Sequence, residues 1–254
     1  MGTRLRVLGA GTFARVPSEG LALAIVLAQT DVAFAGMLIG AATFPQMITG
    51  PIGGHLLDRS QRPDQLIALA AIATAAAFVL LTADPWAIQF VAALAIAATA
   101  PILTGGLSAT FTAWVAAGDT HVVSAWDGVA YNIAGVISPV VVTAIAVAAS
   151  PNWSLVALAA TGVVTAGFVI GAPGRDARPT DPEPDQGVAI LRALRTMWRE
   201  RGVRAVTVAT TIDHVGVGAL TIALASAAVD HGHPATAAGV VASVRAVSAL
   251  AGSL

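Results

Sequence analysis

LIALAAIATAAAFVLLTA, residues 66–83, carries no charged side chain over a stretch that Pro63-Asp64 precedes and Asp84-Pro85 closes. A run of this kind matches the roughly 20 apolar residues that an α-helix needs to cross the hydrocarbon of a bilayer. Working outward, the same pattern recurs on both sides. It predicts eight spans, over Val7 to Gln29, Ala33 to Leu56, Leu66 to Ala83, Trp86 to Ala109, Val123 to Ala149, Ser154 to Ala172, Arg204 to Val229 and Ala235 to Leu254. The turns between them hold helix breakers such as Asp31, Asp84-Pro85, Ser150-Pro151 and His233-Pro234. The fourth turn, Thr110 to His121, reads as a longer and partly polar loop. The expected fold is therefore all-α, a polytopic transmembrane helix bundle.

Composition agrees. Hydrophobic residues make up 56% of the 254 positions and charged residues only 11%, against about 25% charged in soluble domains. That balance excludes a water-soluble domain. The net charge of -1 says little; what matters is where the charges sit, and no nucleic-acid partner is expected. The chain has no cysteine, so disulfides and thiolate metal sites drop out, and no P-loop, zinc spacing or nucleophile elbow occurs; the expectation is no enzyme, no cofactor and no metal. Arg4 to Ala14 imitates a Gly-x-Gly-x-x-Ala dinucleotide fingerprint, but no alternation of strands and helices follows it, as that fold requires.

All thirteen basic residues are arginines. With the amino terminus inside, Arg4, Arg6, Arg59, Arg62, Arg175, Arg178, Arg192, Arg195, Arg199, Arg201 and Arg204 fall on the inner side or its border, which is the positive-inside distribution. Only Arg15 and Arg245 lie within predicted spans. The Pro- and Asp-rich stretch Pro173 to Gln186, followed by an amphipathic Val188 to Glu200, divides the chain into a six-helix bundle (1–172), an inner linker with a surface helix (173–203) and two further helices (204–254). A shift of 198 residues places Arg6 on Arg204, Thr12 on Thr210, Arg15 on Asp213 and Gly20 on Gly218, the kind of match a parallel repeat leaves.

Charges within spans are costly and usually face a cavity or a partner. Gly11, Thr12, Arg15, Ser18 and Glu19 form one polar stripe at helical spacing. Arg15 and Glu19 can pair along the helix, and the stripe is the first candidate lining of a solute cavity. Asp213 and His214 are the candidates from the seventh span, for solute or proton contact. Asp127, near the inner end of the fifth span, reads as a helix-terminus or gating charge, and Arg245 is a further charge inside a span.

After the second span comes Gly54-His55-Leu56-Leu57-Asp58-Arg59-Ser60-Gln61-Arg62-Pro63. It resembles the signature of the major facilitator superfamily between helices 2 and 3: a glycine, three residues, Asp-Arg, one residue, a glycine and two basic residues. Gly54, Asp58, Arg59 and Arg62 match, whereas Gln61 and Pro63 replace the second glycine and the last basic residue. The resemblance implies a gating loop at these four residues and secondary active transport of a small solute by alternating access, proton-coupled efflux being one mode; it also places helices 5 and 8 side by side, which implies that Asp127 and Arg245 meet across the interface between the two helix groups. The fourth span lacks the arginine of the family's drug exporters, and the fifth keeps only Gly135 and Pro139 of their glycine-proline pattern. Twelve helices are implied, so the chain reads as truncated after helix 8, with helices 9 to 12 as partners if it is a fragment. The other partners implied are the lipid bilayer of the cell membrane and a small-molecule substrate, with or without protons. The alternative reading is a non-transporting remnant or membrane scaffold.

Overall fold

In lipid, no water can bond an open peptide group, so each uncharged run closes its own hydrogen bonds as a helix. The computed structural model describes residues 3–114, 120–170, 195–234 and 236–252. The side chains of residues 3, 113, 210, 213–215, 217, 218, 221, 245, 246 and 249–252 lie outside that description. The described residues form helices and connecting turns, with no strand. The helices are α1 (Thr3–Ala28), α2 (Val32–Thr43), α3 (Gln46–Arg59), α4 (Pro63–Leu80), α5 (Trp86–Pro101), α6 (Leu107–Phe111), α7 (Thr120–Ala148), α8 (Pro151–Val169), α9 (Arg201–Asp230) and α10 (Thr236–Gly252). Six spans among the described residues are long and apolar enough to cross a membrane, ending at Pro151–Val169. The two remaining expected spans are helical, as α9 and α10.

The ends are set by local chemistry. Asp31 caps α2, its Oδ1 accepting from the Ala33 N–H at 2.8 Å and the Phe34 N–H at 3.3 Å. Pro63 and Pro151 open α4 and α8 at the first turn, where a missing N–H costs nothing.

Helix α1 packs between α7 and α8; α4 lies on α8 and α5, and α2 and α3 lie on α5. Helix α10 packs on α7, and α9 on α10, α1 and α2. Close crossings depend on small residues, as they must where lipid is as apolar as the side chains. A Cβ at Gly162 of α8 would stand 2.8 Å from the Ala71 carbonyl oxygen of α4, and one at Gly20 would collide with the Ser138 hydroxyl of α7. Ser138 Oγ in turn donates to the Val16 carbonyl of α1 at 2.8 Å.

Two apolar layers result. One holds Val16, Leu38, Phe78, Ile96, Val142 and Leu158; the other holds Val7, Ala14, Ile67, Leu103, Phe111 and Val169. Along α1 the border between them falls at Arg15, with Ala14 in one layer and Val16 in the other.

Several expectations need correction. The second span is one segment in length but is broken at Phe44 and Pro45 into α2 and α3, because Pro45 has no N–H to continue the ladder. The fourth span contains a π-helical turn, Ile102–Gly106, between α5 and α6. The expected polar turn from Thr110 is helical to Trp114, since Phe111 and Trp114 bury against each other edge to face at 5.0 Å between ring centroids. Its residues 115–119 lie outside the described residues. So does most of the linker, residues 171–194; of the expected amphipathic helix only 195–200 is described, helical over 195–199 and extended at Glu200. The fingerprint-like Arg4 to Ala14 is part of α1.

Candidate functional site

The break in the apolar core is where Arg15 sits. Its side chain leans toward the amino-terminal end of α1, as helical side chains do, and Nη1 donates to the Gly11 carbonyl one turn back at 3.1 Å. Gly11 makes that possible: a Cβ there would stand 3.0 Å from Nη1 and 3.0 Å from the Ala130 Cβ. On the far side Nη2 donates to Ser108 Oγ of α6 at 2.6 Å and lies 2.7 Å from Asp127 Oδ1 of α7. The guanidinium carbon is 5.9 Å from the Tyr131 ring centroid, within cation–π range. Three spans thus meet on one guanidinium.

The side chains of Arg15 and Asp127 are 6% and 21% exposed. At 2.7 Å the pair is at hydrogen-bond length, yet Asp127 Oδ1 has no hydrogen bond of good alignment. We therefore read it as an ion pair with imperfect direction. Attraction between opposite charges at this depth is stronger than in water, and it offsets part of the cost of taking both charges out of solvent.

The polar stripe of α1 emerges from the core along its length. Gly11, Thr12 and Arg15 are buried, whereas Ser18 and Glu19 are exposed. Glu19 Oε2 lies 4.0 Å from where a Cβ on Gly135 of α7 would stand. On α7, Ser124, Gly128, Tyr131 and Asn132 are exposed, so α1 and α7 present polar groups together. Asp127, expected to meet Arg245, is engaged by Arg15. The side chains of Arg245, Asp213 and His214 lie outside the described residues, although their backbones are helical.

Toward the end of the bundle where α3 finishes, Gly50, Gly54, Leu57 and Asp58 face Pro101, Thr104, Gly105 and Gly106 across a cleft of about 430 Å³. The π turn forms one wall, and the absence of side chains on four glycines keeps it open. Asp58 lines it, and Asp58, Arg59 and Arg62 are exposed. Residues 10–254 match the Major Facilitator Superfamily. The chain belongs to that superfamily. No curated protein matches it closely enough to count as a relative. Membership in the superfamily, with six apolar spans, makes it a multi-pass membrane protein of a transporter family. Within the superfamily chain, Gly54, Asp58, Arg59 and Arg62 stand together at the end of α3 and the start of α4, and Arg15 and Asp127 stand together deeper in the bundle.

Ser108 and Tyr131 were not among the residues expected from sequence. Ser108 is one hydroxyl in a helix full of small residues, and nothing in its spacing marks it as the partner of a charge 93 positions away. Among the described residues no group of three or more metal-ligating side chains converges.

Proposed function

We propose that this superfamily member is a secondary active transporter that moves a small solute by alternating access, with the Arg15–Asp127 pair at its solute cavity. The observation that carries the reading is a paired charge near the middle of α1, bridging α1, α6 and α7 where the two apolar layers part. Buried charges that only fix a helix position need no polar groups opening beside them, whereas here Ser18, Glu19, Ser124 and Asn132 continue the polar surface. A solute carrying an anionic group competes with Asp127 for the guanidinium. Glu19 in α1, and Asp213 and His214 in α9, are the remaining candidates for solute or proton contact, and Arg245 for contact between the two helix groups.

In this reading Gly54, Asp58, Arg59 and Arg62 form the gate. Asp58 can accept charge-assisted hydrogen bonds from a segment that enters the glycine-walled cleft in one state and leaves it in the other. Arginine placement supports an amino terminus inside the cell membrane.

The test is flux of a solute panel in proteoliposomes under an imposed proton gradient. Arg15→Lys keeps the charge but loses the planar fork, and should reduce flux about tenfold or more while the protein remains folded. Wild-type-like flux from Arg15→Lys and Asp127→Asn removes these residues from the site. No flux of any solute from folded protein returns the scaffold reading.

A further inference from the structure

At the end of the bundle opposite the Asp58 cleft, Gln29, Thr30, Asp31, Phe34, Met37, Trp86 and Phe90 line a second cavity of about 490 Å³ that is open to the surface, with Met37 and Trp86 exposed at its rim. Three aromatic side chains from two helices, α2 and α5, share its lining with one exposed carboxylate. The carboxylate is held in place by the backbone: both capping bonds, from the Ala33 and Phe34 N–H groups, go to Oδ1, and neither to Oδ2. The wall is held too. Gln29 Nε2 at the end of α1 donates to Gln89 Oε1 of α5 at 3.2 Å, and Gln89 Nε2 to the Ala83 carbonyl at 2.7 Å.

We propose that this cavity binds an organic cation of the substituted-ammonium class, with Asp31 supplying the opposing charge and Trp86, Phe34 and Phe90 the aromatic faces. A diffuse alkylammonium charge is weakly hydrated and is attracted by the electron-rich face of a ring, most strongly by that of Trp. The thioether of Met37 adds a polarizable, adaptable surface for alkyl groups. Aromatic residues at a membrane interface also form belts that face lipid. A belt, however, needs neither a cavity nor a carboxylate among its rings. Trp86 and Trp153 are both exposed, at 68% and 59%, but Trp153 at the start of α8 stands outside the cavity lining, so the two readings separate on that pair. The site is distinct from Arg15 and does not depend on transport.

Binding is measured by calorimetry on the full chain in nanodiscs, with choline as the probe and 3,3-dimethylbutan-1-ol, its uncharged isostere, for comparison. Asp31→Asn preserves the helix cap, because Asn caps as well as Asp, and removes only the charge. Asp31→Asn and Trp86→Ala should each weaken choline binding about three- to tenfold, with Trp153→Ala unchanged and the alcohol bound more weakly than choline. The proposal is overturned if Asp31→Asn binds choline as the wild type does, if the alcohol binds equally well, or if Trp153→Ala loses as much as Trp86→Ala.

Discussion

Arg15 shows what one charged residue demands of its surroundings. Its guanidinium takes a carbonyl from its own helix, a hydroxyl from α6 and a carboxylate from α7, and Gly11 yields the space it lies in. Removing one partner of such a pair leaves the other charge buried and uncompensated, at a cost of about 3–5 kcal/mol. Arg15→Ala should therefore lower the thermal midpoint in detergent well below that of Arg15→Ala/Asp127→Ala, in which no charge is stranded. A double variant as unstable as the single one would mean that the pair is not coupled. Gly11→Ala belongs to the same argument: it should displace Arg15 and reduce stability without removing any charge. Sequence alone exposes Arg15, since a charge inside an apolar run is conspicuous. It also marks Asp127, but it does not say that these two meet, because the pairing depends on how α1 and α7 cross, which is set by Gly20 and Ser138 rather than by either charge.

Pro17, Pro51 and Pro139 lie inside unbroken helices, whereas at Pro101 the helix changes form and a neighbour replaces the lost donor. Pro101 has no N–H, so the Ala97 carbonyl of α5 loses its partner four residues on. Thr49 Oγ1 of α3 donates to that carbonyl at 2.6 Å. Directly beyond Pro101 the helix opens into the π turn, where the Leu107 N–H reaches back to the Ile102 carbonyl, and the turn carries Thr104, Gly105 and Gly106 into the cleft beside Asp58. Thr49→Val should leave the Ala97 carbonyl unsatisfied and cost about 1–3 kcal/mol. In Pro101→Ala the backbone regains its own donor, so adding Thr49→Val there should cost much less. A double-mutant cycle on thermal or denaturant stability reads the difference, and additive effects would sink the idea. The span lengths were legible from hydropathy, because 18 or more uncharged residues leave few alternatives to a crossing helix. The breaks were only half legible. Proline announces a lost hydrogen bond, but whether the helix bends, stops or widens depends on a donor in another helix, and Thr49 lies 48 positions from Ala97.

At the scale of the whole molecule, small residues decide which helices are neighbours. Gly162 lets α8 press on the Ala71 carbonyl of α4, and Gly20 lets α7 press on α1. Glycine-to-valine changes at either position should destabilise the bundle by a few kcal/mol through overpacking (about 1–3 for side-chain clashes), with Gly162→Val the worse because its neighbour is backbone and cannot rotate away. Valine at Gly36, which has no neighbour within 4 Å of its Cβ position, should be tolerated; equal thermal midpoints for the three variants would contradict this packing. The same small-residue spacing that holds the bundle together carries no information on its direction through the membrane. Direction rests on the arginines alone. Those at positions 59 and 62 follow α3, whereas the turn between α4 and α5 carries Asp84, and basic loops are retained on the inner side. Because the chain has no cysteine, single cysteines can be introduced without a background. Asp84→Cys should react with a membrane-impermeant maleimide on intact cells, and Arg62→Cys only after permeabilisation. The opposite labelling pattern would invert the bundle, moving the Asp58 cleft to the outer face and the aromatic cavity around Asp31 to the inner one.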